Sequence, residues 1–259
     1  MNDWKQNVYF VLVEPREQGN IGASARAIKN MGFNNLCLVK PPPEMPEEAR
    51  WFARNAHDVL DSAKVHDSVE GAISDKAVVV GTTRRKGKNR GLILTAEKGA
   101  PGIHDLAAKN KVAILFGREA RGLYNHEVNE CNFIITIPSS KSQPSLNLSQ
   151  AVLITAYELS KCGEDTVDSQ SAARKKKFNN LSLPEHLQTR EDLAYLYKRI
   201  SRVLELLEYF PRGERDIKQK IIFNLKRFLG RSGLTESELK MILGLCTRIE
   251  KKLGKKIAG

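Results

Sequence analysis

Across residues 1–160, short apolar runs alternate with segments of helical period. Val8–Val13 is built from β-branched, aromatic and leucine side chains and predicts a strand. Asn20–Met31 predicts a helix that Gly32 ends, and Leu36–Val39 predicts a second strand. The Pro41–Pro43 run then enforces extended chain, and Glu47–Ala63 predicts a helix interrupted near His57. Ala77–Gly81, Val112–Gly117 and Phe133–Ile137 are further apolar strands bounded by turn residues, and Leu146–Leu159 predicts a closing helix. Strands that are apolar on both faces and separated by helices imply a parallel sheet covered on both sides, an α/β protein.

The pattern changes after Cys162. Residues 163–180 hold Glu164, Asp165, Ser169, Ser171 and the run Arg174–Lys177 with no apolar period, and predict a linker. Beyond it, Leu193, Leu196, Ile200, Val203, Leu204 and Leu207 recur at helical spacing, as do Ile217, Ile221, Leu225 and Phe228. Thr235 and Glu238 have capping-box spacing ahead of Leu239, Ile242, Leu243, Cys246, Ile249 and Leu253. The expected organisation is a domain over 1–162, a linker over 163–180 and a small all-helical extension over 181–259, with about three amphipathic helices.

Charge adds a partner class to this picture. The formal net charge is +12, and it is unevenly spread. Residues 1–160 carry 20 Lys and Arg against 17 Asp and Glu, while residues 161–259 carry 22 against 13. Solubility alone is the bland explanation; the asymmetry favours a polyanion, nucleic acid before a membrane surface. A chain of 259 residues buries a core without disulfide staples. Cys37, Cys131, Cys162 and Cys246 form no CxxC pair and no zinc-finger spacing, so neither a metal site nor a disulfide framework is expected. The basic-then-apolar layout of a signal peptide is missing from Met1–Lys5, and the longest apolar runs are strand-sized, so the expectation is a reducing, cytoplasmic setting with no membrane partner.

Walker, GxGxxG, HExxH and GxSxG motifs are absent, and the five histidines are scattered. Candidate chemistry instead gathers at strand ends. Asn20-Ile21-Gly22-Ala23-Ser24-Ala25-Arg26 opens the helix after the first strand, with Gly22 and Arg26 on one face. Spacing alone favours a close-packed helix whose arginine reaches solvent. Phe116-Gly117-Arg118-Glu119-Ala120-Arg121-Gly122-Leu123 directly follows a strand, where α/β proteins bind ligands, although a glycine-containing surface turn fits equally well. Ile137-Pro138 precedes Ser145-Leu146-Asn147-Leu148-Ser149-Gln150, in which Ser and Asn are natural helix caps. Gly81-Thr82-Thr83-Arg84-Arg85-Lys86 is dense in charge at a strand end and suits phosphate contacts, with a solvated charge run as the alternative.

In this order, these clusters resemble the three signature motifs of the SpoU branch of the SPOUT methyltransferase superfamily. Asn20-x-Gly22-x-x-x-Arg26 looks like the first, Phe116-Gly-x-Glu119-x-x-Gly122-Leu123 the second, and Ile137-Pro138 with Ser145–Val152 the third. Each motif alone is weak; three together over residues 7–160 are specific. The Gly81–Arg84 segment and the helical tail look like the TrmJ group, tRNA methyltransferases acting on the 2′-hydroxyl of nucleotide 32. The resemblance implies S-adenosylmethionine as cofactor, tRNA as substrate, a homodimer with a shared active site, no metal, and a C-terminal trefoil knot in the sheet domain. General topology rules alone argue against such a knot.

Carried over by position, the resemblance makes Arg26 the catalytic residue, reaching from the partner subunit, with Ser145, Asn147, Glu119 and Asn20 around it. It puts Thr82, Thr83, Gly117, Arg118, Glu119, Ile137, Ser145 and Leu146 against the cofactor; by their charge, Arg84, Arg85, Lys86 and Arg118 are candidate RNA contacts. It also assigns Gly22 and Ala23 to close helix contact between subunits. A guanidinium is a poor base, so Arg26 is better read as a phosphate clamp and stabiliser of a developing alkoxide. Three readings compete: methylation of rRNA or of another tRNA nucleotide, an RNA-binding protein with a vestigial cofactor site, and a Rossmann-like nucleotide binder. The last lacks its glycine fingerprint.

Overall fold

Seven parallel strands are ordered β3-β2-β1-β6-β4-β7-β5. They are β1 Val8–Val13, β2 Asn35–Val39, β3 Lys64–His66, β4 Val78–Thr82, β5 Ile93–Thr95, β6 Val112–Phe116 and β7 Phe133–Thr136. The coordinates are a computed structural model that describes residues 3–43, 47–85, 92–162, 186–209 and 216–257. The whole of the predicted linker, and Lys86, lie outside the described residues.

The sheet is buried on both faces, as its apolar runs require. One face packs Phe10, Leu12, Val80, Ile114 and Phe116 against α1 (Gln18–Asn30), α2 (Glu47–Ala53), α3 (His57–Asp61), α5 (Ala96–Ala107) and α7 (Leu148–Ser160). The other packs Val11, Cys37, Val79, Leu115 and Ile134 beneath two short helices, α4 (Val69–Ile73) and α6 (Asn125–Asn129). The break expected near His57 is real: a 3₁₀ turn at Arg54–Ala56 separates α2 from α3.

β1 and β6 pair directly, with Leu12 opposite Phe116, and β4 lies on the far side of β6. The chain thus runs outward from β1 through β2 to β3, then crosses to the other half of the sheet. That reversal sets the carboxyl ends of β1, β6, β4 and β7 side by side, where α/β sheets hold ligands.

Three helices follow: α8 (Arg190–Leu206), α9 (Ile217–Ser232) and α10 (Glu236–Ile257). They share a small core of Leu193, Leu196, Leu229, Leu234 and Leu239. The lead into α8 docks at the amino ends of the strands, opposite the cleft described below. Asn110 accepts from the Leu187 amide at 3.0 Å, and the Arg190 and Glu191 amides donate to Lys76 and Ser74 carbonyls. The buried guanidinium of Arg190 donates to Asn132 Oδ1 at 2.6 Å, an oxygen that also accepts from the Val79 amide at 2.8 Å. Among the described residues no helix is long and apolar enough to cross a membrane, and no cluster of three or more His, Cys, Asp or Glu is placed to hold a metal ion.

Candidate functional site

The segments leaving β4, β6 and β7 enclose one cleft. Thr82–Arg85 form one wall, Phe116 and the loop Gly117–Gly122 a second, and Ile135, Ile137, Pro144–Leu146, Leu148 and Ala151 a third. Thr82, Thr83, Gly117, Arg118, Glu119, Ile137, Ser145 and Leu146 are therefore all brought together in it. Sequence reasoning missed Arg121 and Pro144. Arg121 sits inside the second motif and is exposed at the rim, so its charge was the available signal.

Local packing explains the loop. A Cβ on Gly117 would stand 2.2 Å from Gly122 C and Leu123 N, so the chain doubles back too tightly for any side chain. The Gly122 amide closes that turn on the Arg118 carbonyl at 2.7 Å, and Gly122 has φ +63°, a left-handed conformation. Thr82 Oγ1 donates to the Leu115 carbonyl at 2.9 Å, locking the ends of β4 and β6. The Arg85 guanidinium donates to the Arg121 carbonyl at 3.0 Å, tying the charged wall to the loop. Arg84 is exposed at the rim.

A polar relay joins the three sequence clusters. Glu119 accepts from the side-chain amide of Asn20 at 3.1 Å and from the backbone amides of Arg16 and Glu17 at 3.3 Å. This carboxylate satisfies donors at the start of α1, which has no side-chain cap of its own. Asn147 Nδ2 donates to Asn20 Oδ1 at 2.8 Å. Asn147 Oδ1 in turn accepts from the Ser149 amide at 2.9 Å and caps α7. Asn20 is buried, with both ends of its amide used, so its orientation is fixed. Ser145 is exposed beside the relay on the cleft wall.

Two expectations need correction. Arg118 is not an open cation for RNA: it is 9% exposed, and its guanidinium is gripped by Glu14 at 2.8 and 2.6 Å and by Glu127 at 3.1 and 3.0 Å. The ring of Tyr124 stacks on it at 4.0 Å. Gly22 does not face a second subunit: a Cβ there would lie 1.9 Å from the Ala49 carbonyl oxygen, so its surface is spent on α2 of the same chain. Arg26 is exposed, outside the cleft lining, and about 9 Å along the α1 axis from Asn20.

This arrangement defines a class: a parallel α/β protein with a glycine-walled ligand cleft at the strand ends, bordered by arginines. Residues 7–157 match the SpoU rRNA Methylase family model, and the chain belongs to that family. It is 34% identical over 252 residues to the Pseudomonas aeruginosa tRNA (cytidine/uridine/adenosine-2′-O-)-methyltransferase TrmJ, covering 94% of each chain. It is 31% identical to the tRNA (cytidine-2′-O-)-methyltransferase TrmJ of Methanocaldococcus jannaschii, covering 89% of this chain and 94% of that one. The crystal structure of TrmJ from Z. mobilis ZM4 superposes with a TM-score of 0.75 at 31% identity, covering 93% of this chain and 98% of that one.

Proposed function

We propose that this protein transfers a methyl group from S-adenosylmethionine to a ribose 2′-hydroxyl of tRNA, at nucleotide 32 of the anticodon loop. The observation that carries this reading is the meeting of three separated clusters: Glu119, on the cleft wall, is hydrogen-bonded in series with Asn20 and Asn147. The names borne by the TrmJ relatives support the substrate.

The cleft suits the cofactor. Its apolar wall of Ile135, Ile137, Leu146 and Leu148 fits a flat purine. Residues 137–146 lie outside helices and strands, so their amides and carbonyls are not used by a ladder and suit the polar edge of adenine. Gly117 lets backbone come close. Thr82, Thr83, Gly117, Glu119, Ile137, Ser145 and Leu146 would hold the group, which when bound supplies a methyl on a sulfonium centre.

The chain's own residues do the rest. The relay fixes the α1 entry and the α7 cap, so Ser145 and Asn147 are held to orient a ribose. Arg26 lies about 9 Å beyond the relay, which suits delivery into the cleft of a second subunit. There its guanidinium clamps a phosphate and stabilises negative charge growing on the 2′-oxygen. We therefore read the active unit as a homodimer and the sheet domain, 1–162, as knotted like its family. Arg84, Arg85, Lys86 and Arg121 are read as phosphate contacts, and the basic helices beyond the 163–180 linker as further tRNA contacts, in the cytoplasm.

The test is nucleoside mapping of tRNA and rRNA from cells lacking the protein, with methylation of tRNA by the purified chain. One missing 2′-O-methyl group at nucleotide 32 is expected. A missing group in rRNA, or none, overturns the substrate. Arg26→Ala is expected to bind cofactor and lose turnover; near-normal turnover removes Arg26 from the mechanism.

A further inference from the structure

Glu14 and Glu127 belong to none of the three signature clusters, yet both are directed at the loop that walls the cleft. Glu14 directly follows β1, and Glu127 lies on α6. Glu14 meets Arg118 side-on, Nε to Oε2 at 2.8 Å and Nη2 to Oε1 at 2.6 Å. On the adjacent edge of the guanidinium Glu127 takes Nη1 at 3.1 Å and Nη2 at 3.0 Å. Four N–H···O contacts thus hold one planar guanidinium, with Tyr124 stacked on its face at 4.0 Å. Forked pairs of this kind fix direction as well as distance.

The backbone at Glu14 is bent to make this contact. It has φ 47° and precedes a proline, a combination that costs conformational energy and persists only where its surroundings impose it. Its amide donates to the Val39 carbonyl at 2.8 Å, which seats the turn on β2. The next residue of the loop repeats the grip: Glu119 reaches back to the amides of Arg16 and Glu17. Consecutive residues of the loop therefore clamp the Glu14–Asn20 segment, one through an ion pair and one through backbone amides.

We propose that Glu14 and Glu127 are positioning residues: through Arg118 they hold the Gly117–Gly122 wall in the shape that accepts the cofactor. The inference rests on the proposed reading of the cleft. Within the loop Gly117–Gly122, Arg118 is the only buried residue, so the loop gains its rigidity there. Hydrogen bonding from Arg118 holds the Glu14 carboxyl below its ordinary carboxylate range, in keeping with a pair ionised at neutral pH.

The test uses the full chain and three variants, Glu14→Ala, Glu14→Gln and Glu127→Gln. Glu14 is 39% exposed, so its replacement is expected to leave a folded protein. Titration of S-adenosylmethionine should show Kd raised about tenfold in Glu14→Ala and less in Glu14→Gln, with kcat at saturating cofactor within about threefold of wild type. Hydrogen exchange of the ligand-free chain should quicken about tenfold at amides of residues 118–122 and not in the β1, β4 and β6 core. Glu127→Gln should loosen the same amides. Unchanged exchange and unchanged Kd in Glu14→Ala overturn the proposal. Faster exchange throughout the sheet, with cofactor affinity and kcat falling together, also overturns it, because the ion pairs would then serve general stability. If wild type fails to bind S-adenosylmethionine, the functional reading fails, and the exchange experiment still decides the clamp.

Discussion

Replacing Gly117 by alanine separates packing from backbone conformation at the cleft. The new Cβ would stand 2.2 Å from two backbone atoms, where ordinary contact begins at 3.4 Å, so the loop must open by about 1.2 Å. The strand side cannot yield, because Phe116 is paired to Leu12 and Leu115 to Gly81. The displacement therefore goes into Arg118–Gly122, the wall itself. Overpacking of this kind costs about 1–3 kcal/mol, a fall in Tm of a few degrees for a chain of this size. Binding suffers more, because a shift of about 1 Å in a positioning element costs up to about a hundredfold. Gly122→Ala is the control: its Cβ would meet nothing within 4 Å, and the cost is that of φ +63° alone, about 1–2 kcal/mol, with asparagine cheaper still. Thermal unfolding and titration with S-adenosylmethionine read both effects. If Gly117→Ala binds like wild type, or Gly122→Ala loses more affinity than Gly117→Ala, the loop is not shaped by the contact described and the reasoning fails.

Three further outcomes are expected. Gly22→Ala drives a methyl to 1.9 Å from the Ala49 carbonyl oxygen, so it should destabilise by about 1–3 kcal/mol in urea unfolding despite alanine's better helix propensity; a stabilised variant would disprove the α1–α2 contact. Asn147→Ala removes the α7 cap and the relay bond to Asn20, and should cost about 1 kcal/mol of stability while turnover falls much further than cofactor affinity; turnover assays beside thermal unfolding check the split. Ending the chain after Cys162 removes Leu187, which is buried against the sheet core, and about 2 kcal/mol of apolar burial with it. That truncation should lower Tm and weaken tRNA binding while cofactor Kd stays near wild type, and an unchanged Tm would show that the helices are not docked as described.

Much of the sheet was legible because its central strands are apolar on both faces. Val8–Val13 is a strand over its whole predicted span, and the ends of β4, β6 and β7 fall within a residue of expectation. The edges were not legible. β3 is Lys64-Val65-His66 and β5 only Ile93-Leu94-Thr95, too short and too polar to stand out as period-two runs. α5 was hidden for another reason: Gly99-Ala100-Pro101-Gly102 reads as a breaker, yet Gly99 lies on β7, where its Cβ would be 2.8 Å from Ile135 Cγ2. Tertiary contact outweighed local propensity there.

The site divides in the same way. Where a strand ends and glycine follows is local information and marked Gly117, whereas the resemblance to the family motifs added Ile137 and Ser145; all three line the one cleft. What a charged side chain does once there is not local. Arg118 and Glu14 are separated by 104 positions, and nothing in either neighbourhood announces the pair. Reading Arg118 as an RNA contact followed its charge, whereas the fold commits that charge to two carboxylates. Gly22 was misread by the same logic: a small residue signals a close approach but does not say which surface approaches. In this chain the partner is its own α2, so any contact between subunits along α1 must use other residues of that helix, the exposed Arg26 among them.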